Sequence, residues 1–269
     1  MSTKLQNQRR GGGSGRDQGY KFEESFRIKH GGRVPDKRMD LWNERSTMPK
    51  TDSVNPDGNR YSIKNPKNTS TWIQTQVCSV ERFCRRFGIT GSSRESFNMF
   101  FGSHKDLMRK DTYKDNPENF KRVCESVWGI DTKNLDYKVE LRRSRLSADN
   151  VRDVENITEW FHYNIEEVTR FVLAESFNNT NNIETIANKM AWATTKNDLD
   201  SVRVFDIEEI VKEAGLLGCH IKDSRTVLRV GVLDLQMKGS GVGTLYHNMQ
   251  FKCSYNQIKE LLNDEGGQI

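Results

Sequence analysis

The stretch that decides the fold class runs TVLRVGVLDLQM (226–237), KGSGVG (238–243), TLYHNMQFKC (244–253). Apolar and polar residues alternate on both sides of the glycine-rich six, the period-2 pattern of half-buried strands. Glycines between two such runs mark a hairpin turn. The segment predicts a C-terminal β-hairpin in a chain whose other patterned stretches are helical.

Working outward, helices flank this hairpin on both sides. Asp206 with Glu209 three residues on caps a helix carrying Ile207, Ile210, Val211 and Ala214 before Gly215. Ser254 and Gln257 form a second box, opening a helix over 254–263 with a stripe of Ile258, Leu261 and Leu262. Farther upstream, Val80, Phe83, Cys84 and Phe87 fall at helical spacing, and Gly88 is their stop. Ser92 and Glu95 box a short helix with Phe97, Phe100 and Phe101; Pro117 opens another, with Phe120, Val123, Cys124 and Val127. Residues 147–177 read as two helical pieces meeting near Asn156, the second lined by Phe161, Ile165, Val168 and Val172. Ile183, Ile186, Ala187 and Met190 mark a further helix. Tyr137, Val139 and Leu141 alternate with Lys138, Glu140 and Arg142, which predicts a strand over 136–146. The class is α+β, mainly short helices with the C-terminal hairpin and one or two further strands.

The N-terminal quarter reads differently. Residues 1–67 carry a balance of +7, against +5 for the whole chain, so the excess positive charge lies there. Arg9 and Arg10 precede a glycine tract that ends at Arg16. Such a tract cannot bury a core. Pro35, Pro49, Pro56 and Pro66 punctuate the remainder of this quarter, and Asn55-Pro56-Asp57-Gly58 spells a turn. The expected organisation is a flexible basic arm over 1–67 and a globular body over 68–269, with a possible subdivision near 147.

Composition excludes several classes. Mean hydropathy is −0.80, and no apolar run approaches the roughly 20 residues that span a bilayer. The N-terminus lacks the apolar core of a secretory signal, which leads to an expectation of a cytoplasmic or virion location. The five cysteines include no CxxC pair, so they read as reduced thiols rather than zinc ligands. The five histidines are scattered, with no HExxH. His162 lies beside the apolar stripe of its helix and reads as packing. Cys219-His220 is an adjacency without triad geometry. The loop at 238–243 lacks the following helix and the Gly-Lys-Ser/Thr that a phosphate loop needs, so a turn is the better reading. Neither a catalytic residue nor a cofactor is expected.

In organisation, an Arg-rich arm followed by a polar domain resembles RNA-virus coat and nucleocapsid proteins. The resemblance implies a non-enzymatic, self-assembling RNA-binding protein. Its phosphate contacts would be Arg9, Arg10 and Arg16 in the arm, extended by Arg82, Arg85 and Arg86 and by Arg142, Arg143 and Arg145 in the body. Tyr20, Phe22 and Trp42 would dock on a neighbouring copy. Two alternatives stand beside it. One is a lattice-forming protein of occlusion-body or matrix type with no nucleic-acid role. The other is a metal-dependent nuclease, for which Asp136 and Glu140 are the candidate carboxylates, with Arg142 as a basic neighbour that cannot serve as a base.

Overall fold

The computed structural model describes residues 3–35, 50–101, 125, 129, 131–133, 151–177, 183–222, 227–237 and 248–268, except the side chains of 3–16, 99–101, 151 and 248. The chain divides into two units. The first takes residues 1–73, 170–213 and 254–269, the second 74–169 and 214–253. The α+β expectation holds, with two five-stranded sheets in place of one hairpin and a strand or two.

The first unit is built on a mixed sheet. Its strands are β1 (Ser53–Val54), β2 (Arg60–Lys64), β4 (Lys189–Ala193), β5 (Val202–Asp206) and β10 (Gly267–Gln268), in the order β1-β2-β4-β5-β10. β2 lies parallel to β4 and the other pairings are antiparallel. A parallel pair needs a long crossover, and here the chain supplies residues 74–169 of the second unit between the two strands.

Helix α1 (Thr3–His30) covers one face of this sheet. Phe22 and Phe26, four residues apart and so on one helix face, are buried with Tyr61, Ile63, Ala191, Ala193 and Val202. The alternation along β2 and β4 puts those sheet residues on a common side. Each fully buried Phe contributes roughly 1.5–3 kcal/mol of apolar transfer. On the same unit, α5 (Ile207–Gly215) starts at Asp206, whose Oδ1 accepts the N–H groups of Glu208 at 2.8 Å and Glu209 at 3.2 Å. α6 (Tyr255–Leu262) starts with the Ser254–Gln257 capping box.

The second unit carries β3 (Ile73–Ser79), β6 (Cys219–Ile221), β7 (Leu228–Val230), β8 (Leu233–Met237) and β9 (Asn248–Cys253), in the order β3-β9-β8-β7-β6. Helices α2 (Val80–Arg86), α3 (Gly91–Phe101) and α4 (Val151–Arg170, all but its last residue) belong to it. Phe83 is the hub of its core, within 6.1 Å, ring centre to ring centre, of Phe97, Trp160, Phe161 and Phe251.

Several expectations are corrected. Among the described residues of 1–67, α1, β1 and β2 belong to the first unit rather than to a flexible arm, and Phe22 and Phe26 supply its core. Phe22, expected at a subunit contact, is 4% exposed inside its own chain. The stretch 226–237 is two strands, because Gly231 turns the chain at φ +56° and Leu228 then faces Leu235 across a tight hairpin. The break in the 147–177 helix falls at Asn164 (φ −126°), whose side-chain amide donates to the Trp160 carbonyl at 2.6 Å and competes with the backbone ladder. Residues 183–190 are a single 3-10 turn leading into β4, not a helix. His162 is exposed rather than packed. The predicted helix from Pro117 lies almost entirely, and the strand over 136–146 and the loop 238–247 wholly, outside the described residues. Among the described residues no helix is long and apolar enough to cross a membrane.

Candidate active site

The β1–β2 hairpin of the first unit gathers charged groups around one carboxylate. Its loop is the predicted turn: Gly58 (φ +81°) donates to the Asn55 carbonyl, and Asp57 Oδ1 accepts from the Asn59 N–H at 2.9 Å. Ser53 pairs with Tyr61, and the same register puts Asp52 opposite Ser62. The Asp52 N–H donates to the Tyr61 carbonyl at 2.7 Å, and its Oδ2 accepts the Ile63 N–H at 2.7 Å. A carboxylate is thereby fixed at the end of the ladder.

Cations surround it. Lys64 follows Ser62 on the same strand face, and its Nζ donates to Ser62 Oγ at 2.7 Å. Arg27 of α1 reaches across to donate to the Asp52 carbonyl at 2.8 Å. Burial pushes the Asp52 carboxyl above the usual aspartate range, against the opposing pull of Lys64, the Ile63 amide, Lys50 and Arg27. A half-buried carboxylate with a raised pKa among three cations is a candidate functional group.

Beside Lys64 opens a cavity of about 510 Å³, within the range of small-ligand sites. Gln18, Gly19, Phe22 and Glu23 of α1 form one wall, and Ile63 to Lys67, Thr71 and Ile73 another. Lys196 closes it from the turn between β4 and β5. That turn is clasped to the loop after β2: Asn65 Nδ2 donates to Asn197 Oδ1 at 2.8 Å, and the Asn197 N–H donates to Asn65 Oδ1 at 2.9 Å. Lys64, Lys67 and Lys196 outnumber the single carboxylate of Glu23 on its walls.

Among the described residues no three His, Cys, Asp or Glu side chains group to cage a metal ion. The hairpin offers the Asp52 carboxylate, and Mg²⁺ can be held by a single carboxylate with water and substrate phosphate completing its octahedron.

The residues expected from sequence fall elsewhere. The backbones of Arg9, Arg10 and Arg16 lie in α1. Arg85 pairs with Glu81 at 2.7 Å, and Arg86 approaches Glu167 at 3.9 Å and lies over the Phe87 ring. Arg82, Arg85 and Arg86 are thus part of α2 in the second unit and not of the hairpin site. Tyr20 is half exposed on α1. Arg142, Arg143, Arg145, Trp42, Asp136 and Glu140 lie outside the described residues. The Cys219 thiol is pushed up to about 12 by burial, and Cys84 to about 11, so neither is a nucleophile at neutral pH. The missed residues, Asp52, Ser62 and Lys64, did carry a signal: RYSIK (60–64) alternates as a strand.

No family model matches the chain, and no curated protein matches it. A solved structure found similar is the crystal structure of restriction endonuclease MspI in complex with its cognate DNA, at 14% identity and a TM-score of 0.42, covering 81% of this chain and 68% of that one. Two expectations are corrected here. The coat or nucleocapsid reading rested on a free basic arm, whereas Phe22 and Phe26 of that stretch are buried in the core of the first unit. The reading of the chain as a non-enzyme came with that resemblance and falls with it.

Proposed function

We propose that the first unit is a metal-dependent nuclease that hydrolyses a phosphodiester of nucleic acid at the β1–β2 hairpin. The observation that carries this is the Asp52 carboxylate set among cations that include the Lys64 ammonium, beside a lysine-lined cavity. Asp52 would hold a divalent cation through its carboxylate. The cation, when bound, supplies Lewis acidity and a water of lowered pKa.

The chain's own groups do the rest. Lys64 sets a positive charge against the non-bridging phosphate oxygens, where negative charge grows in the transition state. Ser62 Oγ holds the Lys64 Nζ in place. The oxygen of water forms a bond to phosphorus and gives up a proton to solvent, the opposite P–O bond breaks, and the leaving oxygen takes a proton from solvent. Lys67 and Lys196 hold neighbouring phosphates by charge.

The test is cleavage of labelled DNA and RNA by the full chain with Mg²⁺, with and without chelator. Cleavage that chelator abolishes, and that falls by about 10²-fold or more in Lys64→Met, is expected. Asp52→Asn should remove it. Cleavage that survives both substitutions, or no cleavage of either polymer by folded protein, would sink the proposal.

A further inference from the structure

The cavity beside Lys64 has the size and lining of a subsite for one nucleotide, too small for a duplex and larger than a phosphate needs. We infer that it takes a single unpaired nucleotide, at a strand end or turned out of a helix, next to the scissile phosphate. This deepens the nuclease reading and rests on it for the adjoining phosphate.

Three features converge. At about 510 Å³ the cavity holds many times the roughly 30 Å³ share of one water, so it has room for an organic ligand as well as an ion. Phe22 and Ile73 give it apolar wall, which an inorganic anion would not use but a base does. Lys64 and Lys67 come from one stretch of chain and Lys196 from another, and a phosphate among them would be matched in charge. Gly19 lies on the cavity wall, and a Cβ built on it meets nothing within 4 Å, so a larger side chain can be placed there without a clash at its Cβ.

The experiment uses the full chain in chelator, so that binding is read without turnover. Nucleoside 5′-monophosphates, inorganic phosphate and a short single-stranded oligonucleotide are titrated against wild type, Gly19→Leu and the Lys67→Ala/Lys196→Ala double variant. Gly19→Leu fills the cavity while improving helix propensity, so it should fold; circular dichroism and a melt check this. The monophosphates should bind at least about tenfold more tightly than phosphate, as a base in an apolar wall requires. Gly19→Leu should remove that preference, and the double lysine variant should flatten the salt dependence of oligonucleotide binding by about one to two in slope. Monophosphates binding no better than phosphate, or a folded Gly19→Leu that binds as wild type does, would overturn the subsite. Cleavage by wild type is followed in parallel with Mg²⁺. Cleavage without Gly19-dependent binding defeats the subsite alone, and Gly19-dependent binding without cleavage defeats the nuclease reading alone.

Discussion

The backbone N–H of Ile63 donates to Oδ2 of Asp52 at 2.7 Å, so a side-chain carboxylate occupies the position where a strand carbonyl would close the ladder. One carboxylate oxygen is thereby spent on the fold. The ionised group is held in a partly dry place that does not favour its charge.

Asp52→Asn should therefore stabilise the protein at neutral pH. A carboxyl whose folded pKa is raised loses stability as pH climbs through that folded value, and its contribution is complete only below the ordinary aspartate value of 3.8. The asparagine does not ionise, and its amide oxygen still accepts from Ile63. Thermal melts from about pH 3 to about pH 8 should show the variant ahead of wild type at the upper end and level with it at the lower. A variant less stable than wild type at neutral pH would mean that the cations outweigh the burial.

Phe26→Ala tests whether the N-terminal segment is structural. Phe26 is wholly buried with Tyr61 and Ile63, and its truncation should cost about 3–5 kcal/mol. Denaturant titration reads this directly. A loss under about 0.5 kcal/mol, the size of an ordinary surface change, would restore the picture of a free arm.

Gly231→Val should be among the most damaging single changes in the second unit. The residue turns at φ +56°, and a Cβ would lie 2.8 Å from Ile165 Cγ2 and 3.0 Å from the Ala214 carbonyl. Backbone strain of about 1–3 kcal/mol adds to the steric cost. Reduced soluble yield and a lowered melting temperature are the expected readouts, with Gly231→Ala milder.

Asp206→Ala removes the cap of α5 and should cost about 1 kcal/mol. Burial raises this carboxyl, but the Lys189 ammonium at 2.8 Å and the Glu209 and Glu208 amides outweigh it and hold the group below the usual range. Its stabilisation is thus present above the ordinary value of 3.8 and lost as pH falls through the lower folded value. The gap between wild type and variant should close in acid melts.

The helices were legible where their signals are local. Asp206 and Ser254 each announce a first turn through a side chain three residues from its partner, and the apolar stripes of α2, α5 and α6 stand at helical spacing. β4 was not legible, because Ile183, Ile186, Ala187 and Met190 mimic helical spacing while the strand draws its order from β2 and β5 on either side. The hairpin site was hidden by its own turn residues. Pro56 and Gly58 made residues 50–67 read as linker, although Tyr61 and Ile63 alternate with Ser62 and Lys64. Asp52 acquires meaning only through a hydrogen bond to Ile63, eleven residues on, which no spacing rule encodes.

The interleaving of the two units sets an order on their birth. The sheet that carries Asp52 and Lys64 takes β1 and β2 from the early part of the chain, β4 and β5 from its middle, and β10 at 267–268. A ribosome therefore releases the residues of the hairpin site about 200 positions before that sheet can be complete, at some 5–20 residues each second. For the first part of that interval, until Lys189–Ala193 emerges, β2 lacks its parallel neighbour, and the nascent hairpin waits with one edge bare. Chaperone engagement during synthesis would fall on this stretch, and a stalled chain ending before β4 would expose Tyr61 and Ile63 to whatever is nearest.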